Sequence, residues 1–472
     1  MRLSQGALSA LPAGVAKPGY DRAGMRAGVV HFGPGAFHRA HQAAAFDTLL
    51  GHDPRWGITG VSLHSRGVAD GLNPQGGLYT LALLDAVTDY RVIGSIGQVL
   101  TGDQTAAILA ALADPQTRII SATVTEKGYC LDAGGALDIR NAAILADIDA
   151  ARNAPVWQPS SFPGWVVRAL QARRHSGAGP ITVLSCDNLT DNGRKLEGAV
   201  RSLAEAVDPE LAQALPELAS FPNAMVDSIT PATDDALRAQ VMAATGLEDA
   251  WPIQRERFSQ WVIEDRFVTE RPELECAGVT FAADVRPFEQ AKLRLLNGAH
   301  SSLAYIGLGR GHETVADAMA DAELASFVER LMREDIAPTV SPPPGLDLGH
   351  YITDVLARFA NPAIRHLLSQ IAWDGSQKLP YRLLGTVRDT LSAGRSVERL
   401  VLPVAAWVRF VDRAAREGRS LVDPLADTLL ARAGDWRAML ALTEVFGDLG
   451  ADSRFTNAVE HGLEVLERGS LS

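Results

Sequence analysis

Cysteine is scarce in this chain, with three among 472 residues. Cys130, Cys186 and Cys276 are an odd number, widely separated, and show no CxxC or Cys/His spacing. That excludes a disulfide framework and a cysteine-based zinc site, and it points to a reducing, cytoplasmic compartment with no bound metal. Basic blocks are missing as well: the formal net charge is -12 and neither half carries a Lys/Arg-rich run. The electrostatic footprint of a nucleic-acid or anionic-membrane partner is therefore absent. No stretch approaches about 18 uninterrupted apolar residues, and the opening segment MRLSQGALSALPAGVAKPGY is broken by Gly and Pro before an apolar targeting core forms. The sequence is expected neither to span a membrane nor to be exported. Repeats and low-complexity tracts are lacking too. A small-molecule partner is what remains; the oligomeric state stays open, and a monomer is compatible with the sequence.

What is present is the composition of a globular enzyme, 47% apolar and 21% charged. The length suggests two or three domains at about 150 residues each. Residues 27–32 (AGVVHF) read as a strand, followed by Gly33-Pro34-Gly35 and a helical pattern over 37–50. Further strand-like runs follow at 57–63, 78–84, 119–125 and 181–186, separated by helical segments such as 105–112 and 165–174. Strands alternating with helices predict an α/β fold with a mostly parallel sheet, over residues 1–285. From about residue 288 the strand signal fades. Helical patterns at 288–308, 324–334, 351–359, 404–416 and 436–446 predict an all-helical second domain over 286–472, with Pro342 to Gly349 as a loop.

Gly33-Pro34-Gly35-Ala36-Phe37 is a GxG that follows a strand and opens a helix, the context in which glycines admit a dinucleotide pyrophosphate. The third glycine of the full fingerprint is missing. Arg39, one turn into the helix, is a candidate phosphate contact or else a solvated surface arginine. The second strand runs into His64-Ser65-Arg66 with no acid for an adenosine ribose, so Arg66 is a candidate for the extra phosphate of NADP or a plain loop residue. NAD is the expected coenzyme, with NADP open.

The stretch Lys292-Leu-Arg-Leu-Leu-Asn297-Gly-Ala-His300 reads as helix. At about 100° per residue Lys292, His300 and Asn297 fall at roughly 0°, 80° and 140°, one broad polar side. Hydride transfer at a sugar carbonyl needs a proton donor and hydrogen bonds to the oxygen that gains charge; Lys, Asn and His supply both. Ser185-Cys186-Asp187-Asn188 and Val226-Asp227-Ser228 sit near predicted strand ends, where parallel sheets place ligands, or else form Asx turns and caps.

These residues, in order, resemble the long-chain mannitol dehydrogenase family: HFGPGAFHRAHQ at His31, TVTEKGYC at Thr123, SCDN at Ser185, FPNAMVDSITPAT at Phe221, QWVIEDRF at Gln260, KLRLLNGAH at Lys292, NPAIRH at Asn361 and DGSQKLP at Asp374. The resemblance covers nearly the whole chain. It implies a Rossmann-type domain followed by a helical one, and an NAD(P)-dependent interconversion of a keto-sugar and its alcohol. It also implies an acid/base at Lys292, hydrogen bonds from Asn188 and Asn297 to the reacting oxygen, His300 and Asp227 in the site, and Lys378 on the substrate. Ser228, where relatives often carry Arg, and Ser65-Arg66 depart from the family pattern. TEKGYC and the RH preceding DGSQKLP resemble the fructuronate reductase branch, which implies fructuronate and mannonate as the pair, with fructose and mannitol the alternative. Arg365, His366 and Lys378 around that turn suit a substrate carboxylate; a helix-end role is the other reading for Arg365 and His366. A silent sugar sensor or a methyltransferase on the same fold leaves the Lys-Asn-His set without a use.

Overall fold

The apolar run after Ala27 becomes a fully buried strand in the computed structural model, which describes residues 1–132, 134–469 and 471. Two units divide the chain, Met1–Arg286 and Pro287–Ser472. The first contains strands β1 (Val29–Phe32), β2 (Ile58–Ser62), β3 (Tyr79–Leu84), β4 (Asp89–Ile93), β5 (Ile96–Thr101), β6 (Ile119–Ala122), β7 (Ile181–Ser185), β8 (Ala219–Ser220), β9 (Ala224–Asp227), β10 (Ile253–Glu256), β11 (Gln260–Glu264) and β12 (Thr280–Ala282).

Six of these make one parallel sheet in the order β5-β2-β1-β6-β7-β8. Counting only its own strands, the order is 3-2-1-4-5-6, the Rossmann arrangement, whose switch point lies between the first and fourth strands. Here those are β1 and β6, with Val29 beside Ile119. Successive residues point to opposite faces, and both faces are covered. Val30, Ile120 and Val183 join one buried cluster with Trp165 and Leu170 of the helix Phe162–Ser176. Val29, Ile119 and Leu184 join another with Ala43, Phe46 and Trp261. A sheet buried on both sides explains why its strands read as unbroken apolar runs rather than alternating ones.

Three departures from the sequence reading concern this unit. The run at 78–84 is a strand, but β3 leaves the large sheet and pairs with β4 antiparallel and with β10 parallel. A third sheet, β12-β11-β9, was not anticipated. The helix expected over 37–50 is broken at His41 (φ -116, ψ -82) into Ala36–Ala40 and Gln42–Leu49.

The second unit is helical. Among its described residues the only strand-like pairing is the isolated bridge between Thr314 and Leu367. Glu398–Arg416 runs through Pro403, earlier than the proline suggested. The apolar face from Leu400 to Val408 is buried and outweighs the roughly 3 kcal/mol an interior proline costs. Three stretches are π-helical, Lys292–Asn297, Leu331–Ile336 and Pro380–Leu384, and the first contacts the other two.

Candidate functional site

In the Rossmann unit the site begins at the end of β1. Gly33 has φ +81, and a Cβ there would collide with the Thr123 carbonyl oxygen, so the turn across the switch point needs glycine for backbone reasons alone. Gly35 differs. A Cβ at this position would meet only the Gly33 carbonyl oxygen, at 3.8 Å. Nothing inside the protein demands glycine here, and the open space in front of it is what a dinucleotide backbone approach requires. Phe37 is half-buried and stacks on His41 at 5.1 Å.

Beneath the turn, His31 bonds Ser121 Oγ (2.8 Å) and Thr123 Oγ1 (3.0 Å), and its ring stacks on His38 at 3.3 Å. Burial lowers the His31 pKa to about 3 and pushes His38 down as well, so both imidazoles are neutral. Across the switch point Asp187 accepts from the Val124 and Thr125 N–H groups (3.0 and 2.9 Å) and from Tyr129 Oη (2.6 Å). These bonds hold Thr125 at φ +65, a conformation sparsely used by non-glycine residues and frequent at ligand sites. Sequence reading offered Asp187 only as part of a polar cluster; its role is to anchor the loop after β6. Asn188, next in the chain, is exposed. Asp227 is buried at the end of β9, opposite Gln260 of β11.

Arg39 requires a correction. It is neither solvated nor aimed at a phosphate: it is 1% exposed, donates to the Trp251 carbonyl (2.6 Å) and lies 5.4 Å from the ring centroids of both Tyr79 and Trp251. Tyr79 Oη donates back to the Arg39 carbonyl. The residue fastens the helix after the glycine turn to the β3 sheet. Arg66, by contrast, is exposed just past β2 and pairs with Asp103 at 3.1 Å.

In the helical unit Lys292, Asn297 and His300 are all buried, at 8, 7 and 6% exposure. The α-helical angles are corrected by the π segment: the Gly298 N–H donates to Leu293, five residues back. With i to i+5 bonding, Asn297 lies over Lys292 much as i+4 lies over i in an α-helix, so the two share a face instead of standing about 140° apart. Such π segments are frequent at functional sites. Gly298 permits the crossing that follows, because a Cβ there would stand 2.9 Å from the Arg382 carbonyl oxygen.

His300 packs against Phe359 (4.4 Å) and edge-on to His366 (5.2 Å). Its Nε2 is buried without a partner. Burial pushes its pKa well down, and the neighbouring His366, Arg382 and Arg358 push it further. His366 is lowered by burial and then by Lys378 and Arg382. Lys378 rises from the turn that opens the helix Gly375–Leu379, with Nζ 3.5 Å from the Ile371 carbonyl and 4.0 Å from the Asp374 carboxylate. That turn is held firmly. Asp374 has φ +55, Ser376 bonds Asp423 through both N–H and Oγ, and a Cβ at Gly375 would run into Trp407 and Tyr305.

The structure thus gathers His366 and Lys378 with His300, and adds Arg382 and Arg358, which sequence reading did not single out. Arg382, four residues past Lys378 across a proline, also donates to Ser301 Oγ (3.2 Å). Arg365 is not gathered: it is mostly exposed and paired with Glu313. Neither Arg365 nor His366 ends a helix, since both lie in the loop between Leu348–Phe359 and Leu368–Ile371. The described residues contain no cluster of His, Cys, Asp or Glu able to hold a metal, and no helix long and apolar enough to cross a membrane.

A 3-2-1-4-5-6 sheet with a glycine turn at its switch point, followed by a helical unit with a buried lysine, asparagine and histidine, defines a dinucleotide-dependent oxidoreductase. The mannitol dehydrogenase Rossmann domain matches residues 27–276 and the mannitol dehydrogenase C-terminal domain matches 284–467. The chain is 42% identical to the D-mannonate oxidoreductase of Escherichia coli (strain K12), over 97% of this chain and 96% of that one. It is 38% identical to the polyol:NADP oxidoreductase of Gluconobacter oxydans (strain 621H), over 92% and 91%. The Pseudomonas fluorescens mannitol 2-dehydrogenase, solved as a ternary complex with NAD and D-mannitol, superposes with a TM-score of 0.86 at 37% identity, covering 100% of this chain and 98% of that one. The chain belongs to the mannitol dehydrogenase family of NAD(P)-dependent polyol and sugar oxidoreductases.

Proposed function

We propose that this enzyme interconverts fructuronate and mannonate with NAD as coenzyme. The carrying observation is the cationic set around His300: Arg382 and Arg358 bear on its buried imidazole, and Lys378 and Arg382 bear on the partly buried imidazole of His366 beside it. A keto-sugar that carries a carboxylate suits such surroundings better than a neutral polyol, because charge-assisted hydrogen bonds contribute more than neutral ones. The similarity to a D-mannonate oxidoreductase supports the same reading.

A bound coenzyme would supply the hydride that the carbonyl carbon takes up in the reductive direction. Lys292 gives a proton to the oxygen as charge develops there, and takes it back in the oxidation. Asn297, brought to the same helix face, hydrogen-bonds that oxygen, and neutral His300 serves as a further donor. Gly33, Gly35 and Phe37 hold the coenzyme. Arg66 shares its charge with Asp103 at the end of β2, which favours NAD over a coenzyme bearing an extra phosphate. The cysteines support a reducing, cytoplasmic setting: none forms a disulfide.

Two observations favour a second reading, oxidation of mannitol to fructose. Arg365, counted as a carboxylate partner in the sequence, is turned to Glu313, and Ser228, where relatives often carry Arg, donates to the Phe258 carbonyl. The deciding measurement is kcat/KM on fructuronate and on fructose, for the native enzyme and for Lys378→Ala. Preference for fructuronate, reduced on that substrate alone in the variant, is the expected result. Equal or better use of fructose, or of mannitol in the oxidative direction, would move the enzyme to the mannitol reading.

A further inference from the structure

The last two turns of the helix Gly298–Arg310, the middle of Glu398–Arg416 and the end of Ser453–Arg468 line a partly open cavity of about 210 Å³. One water needs roughly 10–15 Å³, so the space is that of a small organic molecule. Ile306, Leu308, Ala406, Phe410, Leu466 and Leu471 give it an apolar wall. Four arginines also line it, and they are not equivalent. Arg310 is paired with Asp321 and Glu323, and Arg419 with Glu417. Among the described residues Arg413 donates to the Leu308 and Gly309 carbonyls and to no carboxylate. Arg409 is different: among the described residues its Nη1 is buried without a hydrogen-bond partner.

A guanidinium donor in that position is costly unless something accepts from it, and its planar fork matches a carboxylate. The other three arginines are engaged with carboxylates or carbonyls, and the remaining side chains are mostly hydrocarbon, against which a polyhydroxylated sugar would lose hydrogen bonds to water without full replacement. The cavity is also separate from the residues proposed for catalysis. Ile306 stands about 9 Å along the helix axis from His300 and about 240° around it.

We infer that this cavity is a second binding site, for a small monocarboxylate with a short apolar tail, headed toward Arg409. Hexanoate is the probe, with hexan-1-ol as its uncharged counterpart, each titrated calorimetrically into the full-length enzyme. Two variants accompany the native protein. Arg409→Met keeps the apolar stem and removes the donor. Gly309→Leu fills the site, and a Cβ at Gly309 meets nothing within 4 Å, so the fold tolerates it. Saturable binding of hexanoate, at least tenfold tighter than hexan-1-ol and at least tenfold weaker in both variants, with turnover of the sugar substrate unchanged in them, is expected. The inference is overturned if hexanoate fails to saturate below about 10 mM, if hexan-1-ol binds as well, or if either folded variant binds hexanoate like the native enzyme.

Discussion

At Gly33–Gly35 the chain dispenses with side chains so that backbone can approach a ligand, whereas at Lys292–Asn297 it widens a helical turn so that side chains can stand together. The first solution is local: strand, glycines and helix follow one another in sequence, and a collision with the Thr123 carbonyl explains one of the two glycines completely. The second is tertiary. Nothing in the spacing of KLRLLN distinguishes an α from a π turn, and the choice goes with the contacts this stretch makes to the other two π segments. Recognition of a common coenzyme and chemistry on a particular substrate thus rest on different kinds of information.

The largest test of this contrast is Lys292→Ala. Turnover should fall by on the order of a hundredfold or more, while coenzyme binding measured by fluorescence titration stays native. A variant with normal turnover across pH would remove the lysine from its role.

The glycines should then separate from each other. Gly35→Val is expected to weaken coenzyme binding about tenfold or more with little change in melting temperature, because only ligand approach needs that space. Gly33→Val should instead lower stability by about 1–3 kcal/mol, through left-handed backbone strain and the collision with Thr123. If both variants lose stability alike, the distinction between a structural and a ligand-facing glycine collapses.

A smaller effect concerns pH. His31 is depressed to about 3 by burial, so below the ordinary histidine value near 6.5 the unfolded chain binds a proton that the folded one refuses. Stability is therefore full above about pH 6.5 and is lost as pH falls from there toward 3. His300 is depressed for the same reason and adds to the loss. His31→Asn should flatten the fall in urea-unfolding free energy between pH 6.5 and 4 relative to the native protein; an unchanged slope would mean that other groups carry the acid sensitivity.

The smallest expected change is in Arg365→Ala. Its exposed pair with Glu313 contributes no more than about 1 kcal/mol, and KM for fructuronate should move less than about twofold. A large rise in KM would return Arg365 to the substrate and contradict its placement.

The fold class, the glycine turn and the helical second half were legible because each is written in contiguous residues with strong apolar periodicity. The second and third sheets were not. β4 and β10 are short and of mixed polarity, and β3 pairs with a strand far later in the chain, with Leu81 beside Ile253. Misplacing β3 also led to the error at Arg39, since the surface that buries its guanidinium is built from Tyr79 and Trp251. In the helical unit Lys292, Asn297 and His300 were singled out by residue type, but their arrangement was drawn on α-helical winding where the chain makes a π turn. His366 and Arg365 are neighbours that the loop sends to different surroundings, one against His300 and one to Glu313, a distinction that no reading of adjacent basic residues makes. Arg382 left a signal in its spacing from Lys378, though Pro380 between them argued against a continuous helix.

The π turn at Lys292 also makes the length of this segment a parameter in its own right. A wide turn holds one residue more than the α-helical path between the same two ends, so it acts as a spacer that sets phase. Deleting a single residue from Leu293–Leu296 would let the helix close into ordinary α winding with its two ends left in register, and the asparagine, now four residues on, would still lie over Lys292. Winding the same residues as an α-helix would instead displace Lys292 by about 100° around the axis and about 1.5 Å along it relative to His300. Changes at Leu293–Leu296 that favour α over π winding at fixed length are thus the ones that move the lysine.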